Sequence, residues 1–124
     1  MDNPKCGKCK TPLDVPRRPI DVTVADFDQE VLAWPGLVLL EFWTPWCGHC
    51  RMMAPVLDEL AGERAGLLKV VKVNVDNEPS LGARFGIQAT PTFLLYQNGK
   101  KLSEIAGALP KIELERWIEF SISG

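Results

Sequence analysis

The stretch "EFWTPWCGHC", residues 41–50, decides how the rest of the chain is read. It closes an apolar run, "LVLLEFW", and ends in two cysteines two residues apart. A continuous apolar run of this length reads as a strand buried on both faces of a mixed or parallel sheet. From about Gly48 to Arg64 a helix is expected, with Met52, Met53, Val56, Leu57 and Leu60 on its apolar side. The cysteine pair therefore stands where a strand gives way to a helix. There the unpaired N–H groups and the helix dipole favour a thiolate on Cys47. Thiolate is the reactive form in disulfide exchange. Cys50 lies one turn further in, close enough to close a disulfide with Cys47 and to resolve a mixed disulfide. A metal half-site is the competing reading; Trp43, Pro45, Trp46 and the buried strand fit a redox site better.

Two neighbours bear on that chemistry. His49 is the chain's only histidine. It is either an exposed spacer or a cation that stabilises the Cys47 thiolate. The second role would favour the reduced state and make the disulfide more oxidising. Glu41 sits inside the apolar strand, where an unpaired carboxylate is costly. Burial should raise its pKa, which suits proton exchange near neutral pH. The alternative for Glu41 is a buried ion pair with no catalytic part.

Outward from this centre the patterns stay regular from residue 21. "DVTV" is a short strand, and "TVADFDQEVLAW" a capped helix with Phe27, Val31 and Trp34 on its apolar face. Gly66 suits the exit from the helix that carries the cysteines. "LLKVVKVNVD" is a strand, and "PSLGARF" a short helix that Gly86 can end. "TFLLYQNGKKLSEI" reads as two strands around the turn pair Asn98-Gly99. "PKIELERWIEF" is a last amphipathic helix offering Ile112, Trp117, Ile118 and Phe120 for packing. The order is β-α-β-α-β-α-β-β-α. Helix-separated strands favour right-handed crossovers, and the terminal hairpin adds antiparallel strands. The fold class is α/β with a central mixed sheet flanked by helices. Pro55 lies in a helix interior, where a kink is expected.

At 124 residues the chain is the size of one domain, and it is 46% hydrophobic. Such a chain builds a core without disulfide staples. The net charge of −2, with mixed signs, points away from nucleic acid. No apolar run is long enough to span a bilayer, and the first residues show no signal-peptide pattern. The expected setting is the cytoplasm, where cysteine pairs are first read as metal ligands or redox groups.

Residues 1–20 differ from the rest, with four prolines, a second pair at Cys6 and Cys9, and little apolar periodicity. They read as an N-terminal arm and linker, ahead of a domain at 21–124.

"EFWTPWCGHC" resembles the active-site segment of the thioredoxin family. The resemblance continues through "MMAPVLDELA", "VVKVNVD", "FGIQATPTFLLYQNGK" and "AGAL", over roughly residues 21 to 120. It implies the thioredoxin fold, with Cys47 as nucleophile and Cys50 as resolving thiol. It also implies that Pro91 is a cis-proline facing the dithiol, with the backbone at Thr90 bonding an extended substrate segment. Trp46, Gly107 and Ala108 would complete an apolar groove. Glu41 would lie behind Cys50 and assist its deprotonation, with Lys72 as its ion-pair partner.

The chain departs from most of that family. Thioredoxins mostly carry Cys-Gly-Pro-Cys and a buried Asp, whereas Cys-Gly-His-Cys with Glu41 is similar to the catalytic domains of protein disulfide isomerase. Against references near −270 mV for thioredoxin and about −180 mV for the isomerase, the expected potential is roughly −210 to −250 mV. "KCGKC" resembles half of the zinc ribbon of the bacterial thioredoxin 2 type. A closed zinc site usually needs four ligands. Three readings of Cys6 and Cys9 therefore stand: a vestigial half-ribbon, a zinc shared between two chains, or an accessory redox pair.

The expected function is reduction of protein disulfides through a Cys47–Cys50 dithiol cycle, with a thioredoxin reductase as electron donor. No organic cofactor is needed, and the chain is expected to be a monomer. The rivals are a disulfide isomerase or oxidase and a metal-binding or interaction module on the same scaffold.

Overall fold

The central strand of the computed structural model is β2, Leu37–Trp43, buried at every position but its two ends. The structure describes residues 15–123. β1 (Ile20–Asp21) and a single π turn (Asp28–Leu32) precede β2; α1 (Gly48–Glu63), β3 (Leu68–Asn74), α2 (Pro79–Arg84), β4 (Thr92–Gln97), β5 (Lys100–Ala106) and α3 (Lys111–Ser123) follow. The strands lie in the order β1-β3-β2-β4-β5. β3 runs parallel to β1 and β2, while β4 is antiparallel to β2 and β5. This is the mixed α/β sheet that the residue pattern implies.

Strand parity decides what each face holds, because successive side chains point to opposite faces. Val38, Leu40 and Phe42 pack with Phe27, Val31, Leu81 and Leu94. Leu39 points the other way, into a cluster with Met53, Leu57 and Leu60 of α1 and Leu114 and Ile118 of α3. Glu41 shares the parity of Leu39 and so faces the α1 layer. Lys72 is its register partner on β3.

The hairpin forms as its residues dictate. Asn98 (φ 53°) and Gly99 (φ 81°) both take left-handed backbone, and Gln97 pairs with Lys100 across a two-residue loop. A Cβ on Gly99 would also collide with the carbonyl oxygen of Leu32.

Three local expectations are corrected. The helix expected over "TVADFDQEVLAW" is one π turn, closed by Ala33 N–H to the Asp28 carbonyl at 2.8 Å. Pro35 disfavours helical backbone at Trp34, so the turn cannot propagate. On α1, Met53, Leu57, Leu60 and Ala61 are buried, but Met52 is 65% exposed. One residue is a ~100° step around a helix, enough to turn Met52 off the core face. On α3 the buried residues are Leu114 and Ile118, while Ile112 and Phe120 face out. α1 runs on through Pro55.

Lys69 is a buried charge on the π-turn face of β3. Only 1% of it is exposed, and its Nζ lies 2.9 Å from the Glu30 carbonyl and 2.5 Å from Glu30 Oε1. The ammonium also sits 3.5 Å from the centre of the Trp34 ring. Stranding a buried charge costs more than removing it. Glu30→Ala is therefore expected to lower stability by about 3 kcal/mol. Lys69→Met, which leaves Glu30 able to reach water, should cost much less. Urea denaturation of both variants checks the asymmetry; equal losses would refute it.

Candidate active site

Cys47 is where β2's continuation becomes α1. Its backbone is extended (φ −84°, ψ 116°), and it caps the helix with sulfur instead of oxygen. Cys47 Sγ accepts the Cys50 N–H at 3.2 Å, and as a thiol it donates to the Thr90 carbonyl at 3.4 Å. Cys47 and Cys50 are free thiols, 8% and 4% exposed. Burial pushes the Cys47 thiol up. Hydrogen bonds from Cys50 and the Thr90 side chain, with the backbone N–H groups of Cys50 and His49, outweigh it and leave the pKa lowered. Cys50 goes the other way. Burial and its neighbour Cys47 push it up to about 11, against a smaller opposing hydrogen bond from the Thr44 backbone. The two thiols are thus split into a ready nucleophile and a held proton.

Thr90 and Pro91 lie across from Cys47, joined by a cis peptide bond. The Gly107 N–H bonds to the Pro91 carbonyl at 2.8 Å, which fastens the end of β5 to this loop. Gly107 makes the turn at φ 103°, open only to glycine without strain.

Glu41 is 1% exposed, and among the described residues neither carboxylate oxygen has a hydrogen-bond partner. Burial raises its pKa to about 7; Lys72 lowers it and the Cys47 charge raises it. Lys72 Nζ stands 4.0 Å from Glu41 Oε1 and 4.6 Å from the centre of the Trp43 ring. Separation, partial exposure of Lys72 and burial of Glu41 together explain why the lysine does not hold the acid ionised.

The remaining residues divide into two groups around the dithiol. Trp46 is 71% exposed and is held by its indole N–H to Asp76 Oδ2 at 2.8 Å. With Thr44, Ile87 and Thr90 it lines an open depression. Ala108 lines a different cleft, between α1 and the loop before α3. Trp46 and Ala108 thus line two different depressions. His49 is exposed and reaches Cys47 through its backbone N–H. Asp76, which orients Trp46, carries no signal in the sequence beyond ending the "VVKVNVD" strand.

Cys6 and Cys9 lie outside the described residues, and with them the zinc expectation. Among the described residues no group of three or more His, Cys, Asp or Glu could hold a metal ion. No helix among them is long and apolar enough to cross a membrane.

Comparison with known proteins bears on this arrangement. The family model described as Thioredoxin matches residues 18–120. Thioredoxin from Haemophilus influenzae is 48% identical over 99 residues, which is 80% of this chain and 92% of that protein. Thioredoxin 1 from a Nostoc species is 46% identical over 98 residues, 79% of this chain and 92% of that one. Thioredoxin M5, chloroplastic, from Oryza sativa is 46% identical over 106 residues, covering 83% of this chain and 62% of its own length.

Proposed function

The chain belongs to the thioredoxin family and is a thiol–disulfide oxidoreductase, and we propose that it works as a protein-disulfide reductase through Cys47 and Cys50. The observation that carries the assignment of roles is the placement of the two thiols: Cys47 Sγ caps the start of α1 and accepts the Cys50 N–H at 3.2 Å, while Cys50 is buried one turn further in.

The Cys47 thiolate attacks one sulfur of a substrate disulfide. A Cys47–substrate bond forms, the substrate's S–S bond breaks, and one substrate thiolate leaves. Cys50 then gives up its proton and attacks Cys47 Sγ. The second substrate thiolate leaves, and the Cys47–Cys50 disulfide remains. Two electrons pass to the substrate, and two protons complete its thiols. Glu41, poised near pH 7, takes the Cys50 proton. Lys72 limits how far the acid's pKa rises. Thr90 and Pro91 offer the backbone edge along which an extended substrate segment lies, and Trp46 walls one side of it.

A thioredoxin reductase is the proposed electron donor and the cytoplasm the proposed compartment; the rice relative is chloroplastic by name. Zinc at Cys6 and Cys9 stays a separate proposal, independent of this cycle.

The test is the reduction potential of the dithiol, followed by tryptophan fluorescence in defined dithiol buffers. A Cys6→Ser/Cys9→Ser background removes the second pair. The expected value is roughly −210 to −250 mV, above that of thioredoxin because histidine stands between the cysteines. A value near −180 mV would favour a disulfide donor or isomerase. Absence of a reversible two-electron transition would overturn the redox assignment.

A further inference from the structure

Arg51 stands beside the dithiol with a charge that the rest of the described chain does not use. It is the fourth residue of α1 and is exposed. Its side chain does not trail into solvent. It folds back over the start of the helix, where Nη1 donates to the Pro45 carbonyl at 3.1 Å. Nη2 lies 4.0 Å from the place a Cβ on Gly48 would take, so the guanidinium rests over the residue that follows Cys47. Among the described residues Arg51 makes no salt bridge, whereas Arg64, Arg84 and Arg116 each meet a carboxylate. The first turn of α1 carries no acid. A cation held there opposes the helix dipole, which favours negative charge at that end. Nor is the charge spent on the nucleophile. Burial raises the Cys47 pKa, and hydrogen bonds from Cys50, Thr90 and the His49 backbone lower it; Arg51 has no part in the shift. A local rule broken beside a reactive atom, with no gain inside the chain, points to a contact outside it.

We propose that Arg51 is a specificity-determining residue, which receives a carboxylate of the substrate protein beside the cysteine that bonds to Cys47. This rests on the disulfide-exchange reading above and adds the charge of the substrate segment to it. The occupant follows from the chemistry of the donor. A guanidinium presents planar, paired N–H groups that match a carboxylate. A guanidinium already held in place gives up little freedom when it binds. Pro45 takes a bond from Nη1, and the donors of Nη2 and Nε remain for the ligand. The chain supplies no acid of its own. Asp76, the exposed carboxylate of this site, is bonded to the Trp46 indole N–H at 2.8 Å and not to Arg51. The position over Gly48 sets the reach, so the carboxylate belongs to a residue flanking the substrate cysteine. A basic residue there would meet an unneutralised cation and is disfavoured. Lysine in place of Arg51 would keep the charge and lose the fork.

The experiment uses the reduced full chain and cyclic peptide disulfides that differ only in the residue flanking one cysteine. That residue is Glu, Gln or Lys. Bis(2-hydroxyethyl) disulfide, which carries no charge, is run with the parent as a reaction control. Tryptophan fluorescence follows oxidation of the protein at low ionic strength. Each rate is divided by that of the same peptide with 2-mercaptoethanol, which removes the peptide's own reactivity. The parent is expected to react about fivefold faster with the Glu peptide than with the Gln peptide, with Lys slowest. Within each protein the Glu-to-Gln ratio is the readout, so a general effect of a substitution cancels. In Arg51→Gln that ratio should fall close to one. Arg51→Lys should keep less than half of the preference, and Arg51→Glu should reverse the order so that the Lys peptide is fastest. Arg51 is exposed, so none of these variants opens the core. Equal rates for Glu and Gln in the parent, or a ratio kept in Arg51→Gln, would overturn the proposal. So would one common factor on all three peptides with the ratio unchanged, since Arg51 would then act on the thiolate and not on the substrate. If the parent leaves even bis(2-hydroxyethyl) disulfide intact, the disulfide-exchange reading itself falls, and the role of Arg51 with it.

Discussion

Replacing Cys47 with serine is expected to lower disulfide reduction by about 10⁴-fold or more in kcat/KM, because the thiolate assigned to the first covalent bond is removed. A serine hydroxyl in the same cap position receives the same N–H groups. It does not become an anion near neutral pH, and it does not attack sulfur. The matching change at Cys50 has a different signature. Cys50→Ser keeps the nucleophile and removes the thiol that releases the product. One substrate thiol should appear per chain, and the protein should then stop as a mixed disulfide at Cys47. Intact mass of the quenched, unreduced protein reads this directly. Turnover by Cys47→Ser, or trapping at Cys50 in place of Cys47, would reverse the assigned roles. The local chemistry makes that reversal unfavourable. Cys47 has its pKa lowered by the groups at the helix start, and Cys50, one turn in, has its pKa raised to about 11.

The second large effect is on stability, through Glu41. Its pKa is raised from the ordinary 4.5 to about 7 in the folded chain. Between those values the folded state binds a proton that the unfolded state has lost. Stability then falls as pH rises, since it follows the difference in bound protons between unfolded and folded chains. The contribution is fully present below pH 4.5 and is lost as pH passes about 7. At ~1.36 kcal/mol per pH unit, the loss is about 3 kcal/mol. Glu41 is almost fully buried, so solvent screening removes little of this. Glu41→Gln abolishes the titration. Its amide is also buried, but that cost is the same at every pH. The stability of the variant relative to the parent should therefore rise by about 3 kcal/mol between pH 4.5 and pH 8. Urea unfolding of the reduced proteins across that range measures it. The lowered pKa of Cys47 has the opposite sign and adds stability as pH rises, so the difference between the two proteins reads Glu41 together with its coupling to the Cys47 charge. Parallel curves would show that Glu41 titrates as an ordinary exposed acid. The same variant should resolve mixed disulfides more slowly, which ties the stability cost of a buried acid to its use.

Most of the fold was legible because the relevant forces are local or periodic. The run Leu37–Trp43 could only be a strand covered on both faces. Asn98-Gly99 could only turn sharply, because both residues accept left-handed backbone. Where the pattern misled, a neighbour outside the pattern decided. Pro35 stopped the helix expected over "TVADFDQEVLAW" from extending beyond a single π turn. Met52, Ile112 and Phe120 looked like core residues by composition and are not, since a step of ~100° separates adjacent residues on a helix. Lys69 gave no warning of its burial, because its partners Glu30 and Trp34 are distant in sequence and reach it from the π turn and the segment after it.

The sequence by itself determined the chemistry of this protein. Two cysteines two residues apart at a strand-to-helix junction, with an acid in the strand before them, define a dithiol and a proton acceptor, since those properties depend on residue type and short spacing. Tertiary structure decided how these parts are tuned and what surrounds them. Glu41 is near pH 7 because α1 and the sheet exclude water from it, and Lys72 faces it through strand register. Cys47 faces Thr90 because β4 starts beside the end of β2. The cleft beside Met52 exists because residues 108–110 fold back against α1, more than fifty positions away along the chain. Burial, register and concave shape are properties of several segments together, and no single segment of the sequence carries them.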